Sequence, residues 1–294
     1  MANFSLYSVF VGPQKTGTTW LYSIFRHHPT LCFPKNVKET MFFELYYEQG
    51  LSRYESYFSH RQSSQICSEV APTYFDTPKA ASRIYQHNPN CKILISLRHP
   101  AQRAFSLYCH HLRKGRVPDN FEQAIEKIPR VLSAGHYKRH IPVWLQTFGN
   151  ENIKLILMDD IKLNPRSVIS EVCAFVGISE SYLPNDLTLS EKVNEASMPK
   201  FPWLAKATAQ TVSFFRANRF DLVVEAAKAL GLKKIYSGGE SKLPQMTNQQ
   251  AKFLNDYYDN DVSYVETLLG RDLSSWRYVP CLEDEAAGST AAGN

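Results

Sequence analysis

The sequence predicts an α/β fold: a P-loop-like parallel sheet flanked by helices, with a helical cap in the C-terminal third. Three observations lead there. Short apolar runs alternate with helix-like patterns along most of the chain. A glycine loop joins the first apolar run to the first helix pattern. And 294 residues that are 44% hydrophobic and 13% aromatic supply enough side-chain volume for a large core.

The apolar runs at 7–11, 65–70, 92–97 and 153–158 are short and bounded by polar or turn residues, as buried strands are. Helix patterns fall at 18–28 (stopped by Pro29), 78–86, 101–114, 121–128, 141–148 and 165–176. Pro78 and Pro165 suit the first turn of a helix, where a missing N–H costs nothing. Strand–helix alternation implies parallel strands with right-handed crossovers, and ligands then bind beyond the carboxyl ends of the strands.

The character changes over 199–234, where Lys200, Lys206, Arg216, Arg219, Lys228, Lys233 and Lys234 stand against Asp221 and Glu225. With Phe214, Phe215, Leu222, Val223, Ala226 and Leu230 at helical spacing, 199–236 is expected to be a helical cap or lid. A basic lid over an anionic site is favoured over a membrane-surface helix. An amphipathic helix is expected over 249–269, ended by Gly270. The whole of 1–281 is read as one domain, and the small, polar, acidic stretch 282–294 as a disordered tail.

The net charge of +5 fits an anionic ligand without demanding nucleic acid. No run approaches the roughly 18 apolar residues of a membrane span. The start MANFSLYSVF lacks a charged leader and a cleavage site, so the expected location is cytoplasmic. Six scattered cysteines without C-x-x-C spacing point to reduced thiols, and no metal site is expected. The oligomeric state stays open.

Two segments carry the chemistry. Residues 12–20 read Gly-Pro-Gln-Lys-Thr-Gly-Thr-Thr-Trp between the first strand and the first helix. Such a junction aims backbone N–H groups and the positive helix end at an anion, and Lys15 adds a mobile charge. Lys15 precedes Gly17, so this is not a Walker A loop, which has Lys after the second Gly. An ordinary glycine turn capping a helix is the plainer alternative. The second segment follows the strand at 92–97: Arg98-His99-Pro100-Ala101-Gln102-Arg103-Ala104-Phe105-Ser106-Leu107-Tyr108. Arg98 at a strand's carboxyl end offers a planar fork suited to phosphate, and Ser106 lies two helical turns on.

The order Pro-Gln-Lys-Thr-Gly-Thr-Thr-Trp resembles the 5′-phosphosulfate loop of sulfotransferases that use PAPS (3′-phosphoadenosine 5′-phosphosulfate), and Arg-x-Pro-x-x-Arg-x-x-Ser-x-Tyr resembles their 3′-phosphate site. Residues 38–58, beginning Lys-Glu-Thr-Met-Phe-Phe, and 69–75, Glu-Val-Ala-Pro-Thr-Tyr-Phe, resemble the heparan sulfate sulfotransferase branch. The resemblance covers 7–177, weakens over 180–240 and returns over 243–276. It implies PAPS as co-substrate, PAP as product, and no metal. It implies Glu39 as general base, Lys15 and Lys38 as catalytic cations, and Gln14, Lys15, Thr16, Gly17, Thr18, Thr19, Trp20, Arg98, Ser106, Ser241 and Lys242 as cofactor-binding residues. The implied acceptor is a hydroxyl or amine of a carbohydrate, glycolipid or secondary metabolite. Trp20 is read either as an adenine platform or as a core aromatic. His27, His28, His99, His110 and His111 are alternative bases by residue type.

The branch often carries a histidine where Met41 stands and a lysine where Val70 stands, and both serve acidic sugar, so heparan itself is not the expected acceptor. The aromatic residues Phe42, Phe43, Tyr46, Tyr47, Tyr54, Tyr57, Tyr74 and Phe75 are divided between a cleft lining and core. The competing readings are a P-loop-type small-molecule kinase, which would need an acidic strand end (only Asp159 and Asp160 offer one), and a protein that binds PAP or an anionic glycan without catalysis.

Overall fold

The computed structural model describes residues 5–183, 211 and 243–278. The expected cap at 199–236, the tail at 282–294, and Ser241 and Lys242 lie outside the described residues. The strands are β1 (Leu6–Phe10), β2 (Leu31–Cys32), β3 (Ile66–Val70), β4 (Lys92–Leu97) and β5 (Ile153–Leu157). They form one sheet in the order β2-β3-β1-β4-β5, every pairing parallel. Four of them lie where the apolar runs predict. The fifth, β2, is a two-residue edge strand, too short to leave a periodic signal. Because β1 is central and its neighbours β3 and β4 lead to opposite edges, the switch in strand order occurs at β1. In open parallel sheets such a switch point, beyond the carboxyl ends of the strands, is where ligands bind.

The described helices are α1 (Thr18–Phe25), α2 (Leu51–Ser56), α3 (Ala80–His87), α4 (Pro100–Arg113), α5 (Phe121–Lys127), α6 (Arg130–Ser133), α7 (Tyr137–Phe148), α8 (Met158–Leu163), α9 (Pro165–Val176) and α10 (Asn248–Leu269). Local chemistry explains their ends. The Asn164 side chain caps α9 by accepting from the Ser167 N–H, with Pro165 in the first turn and Gly177 left-handed at the end. A reciprocal capping box between Thr247 and Gln250 starts α10, and Gly270 at φ 58° ends it. Two expectations shift. Pro78 lies ahead of α3 rather than in its first turn. α7 begins four residues before its predicted start and accommodates Pro142 in its interior. No helix among the described residues is long and apolar enough to cross a membrane.

The chain forms two compact units. One joins Met1–Arg98 to Arg139–Asn194 and holds the sheet. By alternation along the strands, Phe10, Val70 and Leu94 share one face, and they pack with Ile156, with Trp20, Leu21 and Phe25 of α1 and with Val168, Ile169 and Val172 of α9. The opposite face carries Val9 and Glu69 side by side. The second unit joins His99–Lys138 to Glu195–Asn294. Its core is built from Leu107 and Leu112 of α4, Phe121 of α5, Val131 of α6, and Leu254 and Tyr258 of α10. The Arg103 guanidinium is fully buried there and donates to the Val131 carbonyl at 2.6 Å.

Phe25 is fully enclosed and its ring centroid lies 5.7 Å from that of Phe10 on β1. Phe25→Ala removes the ring that seats α1 on the central strand. It is expected to destabilise the protein by about 3–5 kcal/mol, read as a lowered midpoint in urea unfolding.

Candidate active site

The site is built around the loop between β1 and α1. Three residues in it have positive φ: Gly12 at 55°, Lys15 at 75° and Gly17 at 92°. Gly12 has no room for a side chain, since a Cβ there would come within 2.6 Å of the Thr18 methyl. Lys15 pays the ordinary steric penalty of a left-handed L-residue, a kind of strain that concentrates at ligand-binding turns. What holds the loop is Thr16. Its hydroxyl is fully buried, donates to the Pro13 carbonyl at 2.6 Å and shares a hydrogen bond of 2.7 Å with Ser96 near the end of β4. The Thr16 side chain therefore braces the loop from inside, and what it can offer a ligand is its backbone.

Gly17 is the N-cap of α1, and no side chain caps this end. The Trp20 N–H already bonds the Gly17 carbonyl at 3.0 Å, whereas those of Thr18 and Thr19 have neither intrahelical partner nor side-chain acceptor, the arrangement that attracts anions. Gln14 and Lys15 are half-buried, Thr18 is buried and Thr19 is exposed. Trp20 is 5% exposed and sits in the core packed on the sheet, so of its two readings the core aromatic describes its surroundings.

Four further predicted residues can be placed. The Lys38 ammonium donates to the Thr19 hydroxyl at 3.0 Å and to Glu39 Oε1 at 3.3 Å, linking the predicted base to the anion loop. Lys38 and Glu39 keep 25% and 21% of their side-chain surface exposed, enough for both to meet a ligand. At the end of β4, Arg98 Nη1 lies 3.5 Å from the Lys15 carbonyl, at the outer limit of a hydrogen bond. Ser106 is half-buried on α4, in the second compact unit. The structure thus brings Lys15, Thr19, Lys38, Glu39 and Arg98 together at one end of the sheet.

The histidines have other work. His27 accepts from Arg26 Nε, and His28 is buried, bonded through Nε2 to the Ser179 carbonyl and through Nδ1 to the Thr30 N–H. Both follow the far end of α1, about 12 Å along its axis from the loop. His99 caps α4 and stacks on Trp276. His110 and His111 stand in the last turns of α4.

Sequence reasoning did not single out Glu69 as a site residue. It is fully buried on β3, and its carboxylate accepts from the Thr40 N–H at 2.8 Å, the Thr40 hydroxyl at 2.6 Å, the Tyr54 hydroxyl at 2.7 Å and, more weakly, the Tyr74 hydroxyl at 3.4 Å. Burial pushes this carboxyl above the ordinary carboxylate range, while the hydrogen bonds pull the other way. Burial and the neighbouring carboxylate hold the phenols of Tyr54 and Tyr74 well above their ordinary value. Of the aromatic group expected to be shared between cleft and core, Phe42, Phe43, Tyr54, Tyr74 and Phe75 are core, and Tyr46, Tyr47 and Tyr57 are half-buried.

Comparison with known proteins gives the family and agrees with the fold. A family model described as the sulfotransferase domain matches residues 8–268. The bifunctional heparan sulfate N-deacetylase/N-sulfotransferase 3 of Homo sapiens is 28% identical over 291 residues, covering 90% of this chain and 30% of the relative. Protein 1 of the same name from Caenorhabditis elegans is 30% identical over 189 residues, covering 58% of this chain and 22% of the relative. The chain thus spans less than a third of the length of these curated relatives. Among solved structures, a sulfotransferase from Alicyclobacillus acidocaldarius aligns with a TM-score of 0.68 at 23% identity, over 95% of this chain and all of that one, which shows a shared fold. On the family match, the chain belongs to the sulfotransferase domain family, within the PAPS-dependent superfamily that its two anion-site motifs resemble.

Proposed function

We propose that this chain moves a sulfonate group from PAPS to a hydroxyl or amine of a carbohydrate acceptor, with Glu39 as general base. The observation that carries the reading is the double contact of Lys38, which ties a partly exposed carboxylate to the lip of an uncapped, glycine-shaped anion loop. The sulfotransferase family supports the donor. The similarity to bifunctional heparan sulfate N-deacetylase/N-sulfotransferases supports a carbohydrate acceptor. Met41 and Val70 stand where that branch carries groups for acidic sugar, so an acceptor less anionic than heparan is favoured.

The residues divide the reaction as follows. PAPS brings a sulfonate bonded through a bridging oxygen to its 5′-phosphate. Glu39 takes the proton from the acceptor heteroatom as that atom bonds to sulfur. The sulfur–oxygen bond to the phosphate breaks on the opposite side, and its electron pair stays on the phosphate of PAP. Lys15 and the N–H groups of Gly17, Thr18 and Thr19 stabilise that growing charge, where fixed donors act most strongly. Lys38 holds the sulfonate oxygens, and Arg98 serves the 3′-phosphate.

Calorimetric titration tests the donor assignment. PAP is expected to bind without Mg²⁺ and well ahead of ADP; preference for Mg²⁺-ATP would favour a kinase instead, and PAP binding without transfer to any carbohydrate acceptor would favour a non-catalytic binder. Lys15→Ala is expected to lower kcat by at least about 10²-fold in a sulfonate-transfer assay. Glu39→Gln is expected to cost about 10²–10⁴-fold in kcat with the PAP dissociation constant unchanged; a full rate in this variant would return the base role to a histidine.

A further inference from the structure

We propose that Glu69 is a positioning residue that acts through Thr40 to hold Glu39 against the anion loop. The inference rests on the assignment of Glu39 as base. Glu69 cannot take that role itself, because it is fully enclosed and all of its close partners are donors from within the protein. What it does hold is the stretch that follows Glu39. Both the N–H and the hydroxyl of Thr40 converge on Oε1. The Thr40 hydroxyl in turn accepts from the Phe42 N–H at 3.2 Å. The Tyr74 hydroxyl lies 3.2 Å from that of Thr40 and accepts from the Phe43 N–H at 3.3 Å. Tyr54 occupies the other carboxylate oxygen.

The backbone needs such an anchor. Met41, between the bonded Thr40 and the buried pair Phe42 and Phe43, has φ 55°, a left-handed conformation for an unbranched but bulky residue. Such a conformation persists only where its surroundings over-determine it. Four hydrogen-bonding groups gathered by a single carboxylate do so here. The anchor also joins sheet to site: Glu69 pairs with Val9 on β1, the strand that carries the anion loop. Loop and base are thereby referenced to neighbouring positions of one rigid sheet, and rigid placement is where misalignment of the order of 1 Å costs about 10²-fold in rate.

A double-mutant cycle with hydrogen exchange tests the role. Glu69→Gln keeps the shape and one acceptor oxygen, and Thr40→Val keeps the backbone N–H. Each is expected to lower kcat by about 10-fold or more, with the PAP dissociation constant and binding stoichiometry unchanged. In the Glu39→Gln background the same substitutions are expected to cost little more, because a residue acting through Glu39 has nothing left to position. Additive losses, or parallel loss of PAP binding and kcat, would overturn the proposal in favour of a general structural role. Exchange at the Thr40, Phe42 and Phe43 amides, measured with PAP bound, is expected to quicken at least about 10-fold in Glu69→Gln while the amides of residues 14–19 stay protected. Unchanged exchange overturns the anchor whatever the kinetics show. Should Glu39→Gln keep its full rate while exchange quickens, the base assignment fails and the anchor stands.

Discussion

The turn by which β1 becomes α1 is the constraint on which the site depends. The chain leaves the central strand of a parallel sheet where the strand order reverses, and it must start a helix almost at once. Glycine at 12 and 17 and a left-handed Lys15 allow the reversal. Strain of this kind costs of the order of 1–3 kcal/mol, and the two buried hydrogen bonds of Thr16 offset it at about 1 kcal/mol each. A loop braced in this way is already ordered before an anion arrives, so little conformational freedom is lost on binding.

The two faces of the sheet then divide the labour. On one, α1 and α9 cover Phe10, Val70 and Leu94 with apolar side chains, and the packing sets the direction in which the uncapped end of α1 points. On the other, Glu69 draws the Thr40 segment onto β3. Two glutamates thirty residues apart in sequence thus receive opposite environments. Glu39 keeps solvent and a lysine beside it, and Glu69 is enclosed by phenols and a hydroxyl. On the proposals made here, environment rather than residue type separates an acid–base role from a positioning one.

Most of the sheet and the anion loop were legible because their signals are local. Four apolar runs, a glycine spacing and Arg98 at a strand end are each readable within a dozen residues. What escaped depends on tertiary partners or on competing local rules. β2 has only two residues and is defined by its pairing with β3. α7 starts four residues ahead of the pattern at 141–148, and the helix absorbs Pro142 at the loss of one backbone bond. Thr16 was legible as part of the loop but not in direction: a hydroxyl suits a phosphate and a buried brace equally well, and only Ser96, eighty residues on, decides. Glu69 left one faint signal, a carboxylate in a run otherwise patterned as a buried strand. Its four donors come from three separate places in the chain, and nothing local announces them.

In the mechanism proposed above, the position of Lys38 links the donor to the base. Its ammonium lies between Glu39 and Thr19 and donates to both. A phosphosulfate at the loop would offer that ammonium a second anionic partner beside the partly exposed carboxylate. Lys38 would then turn from Glu39 to the sulfonate, leaving the carboxylate free to meet the acceptor hydroxyl or amine. On that proposal a mobile cation and an immobile carboxylate are complementary requirements: the lysine has to change partners, and the glutamate has to stay in place.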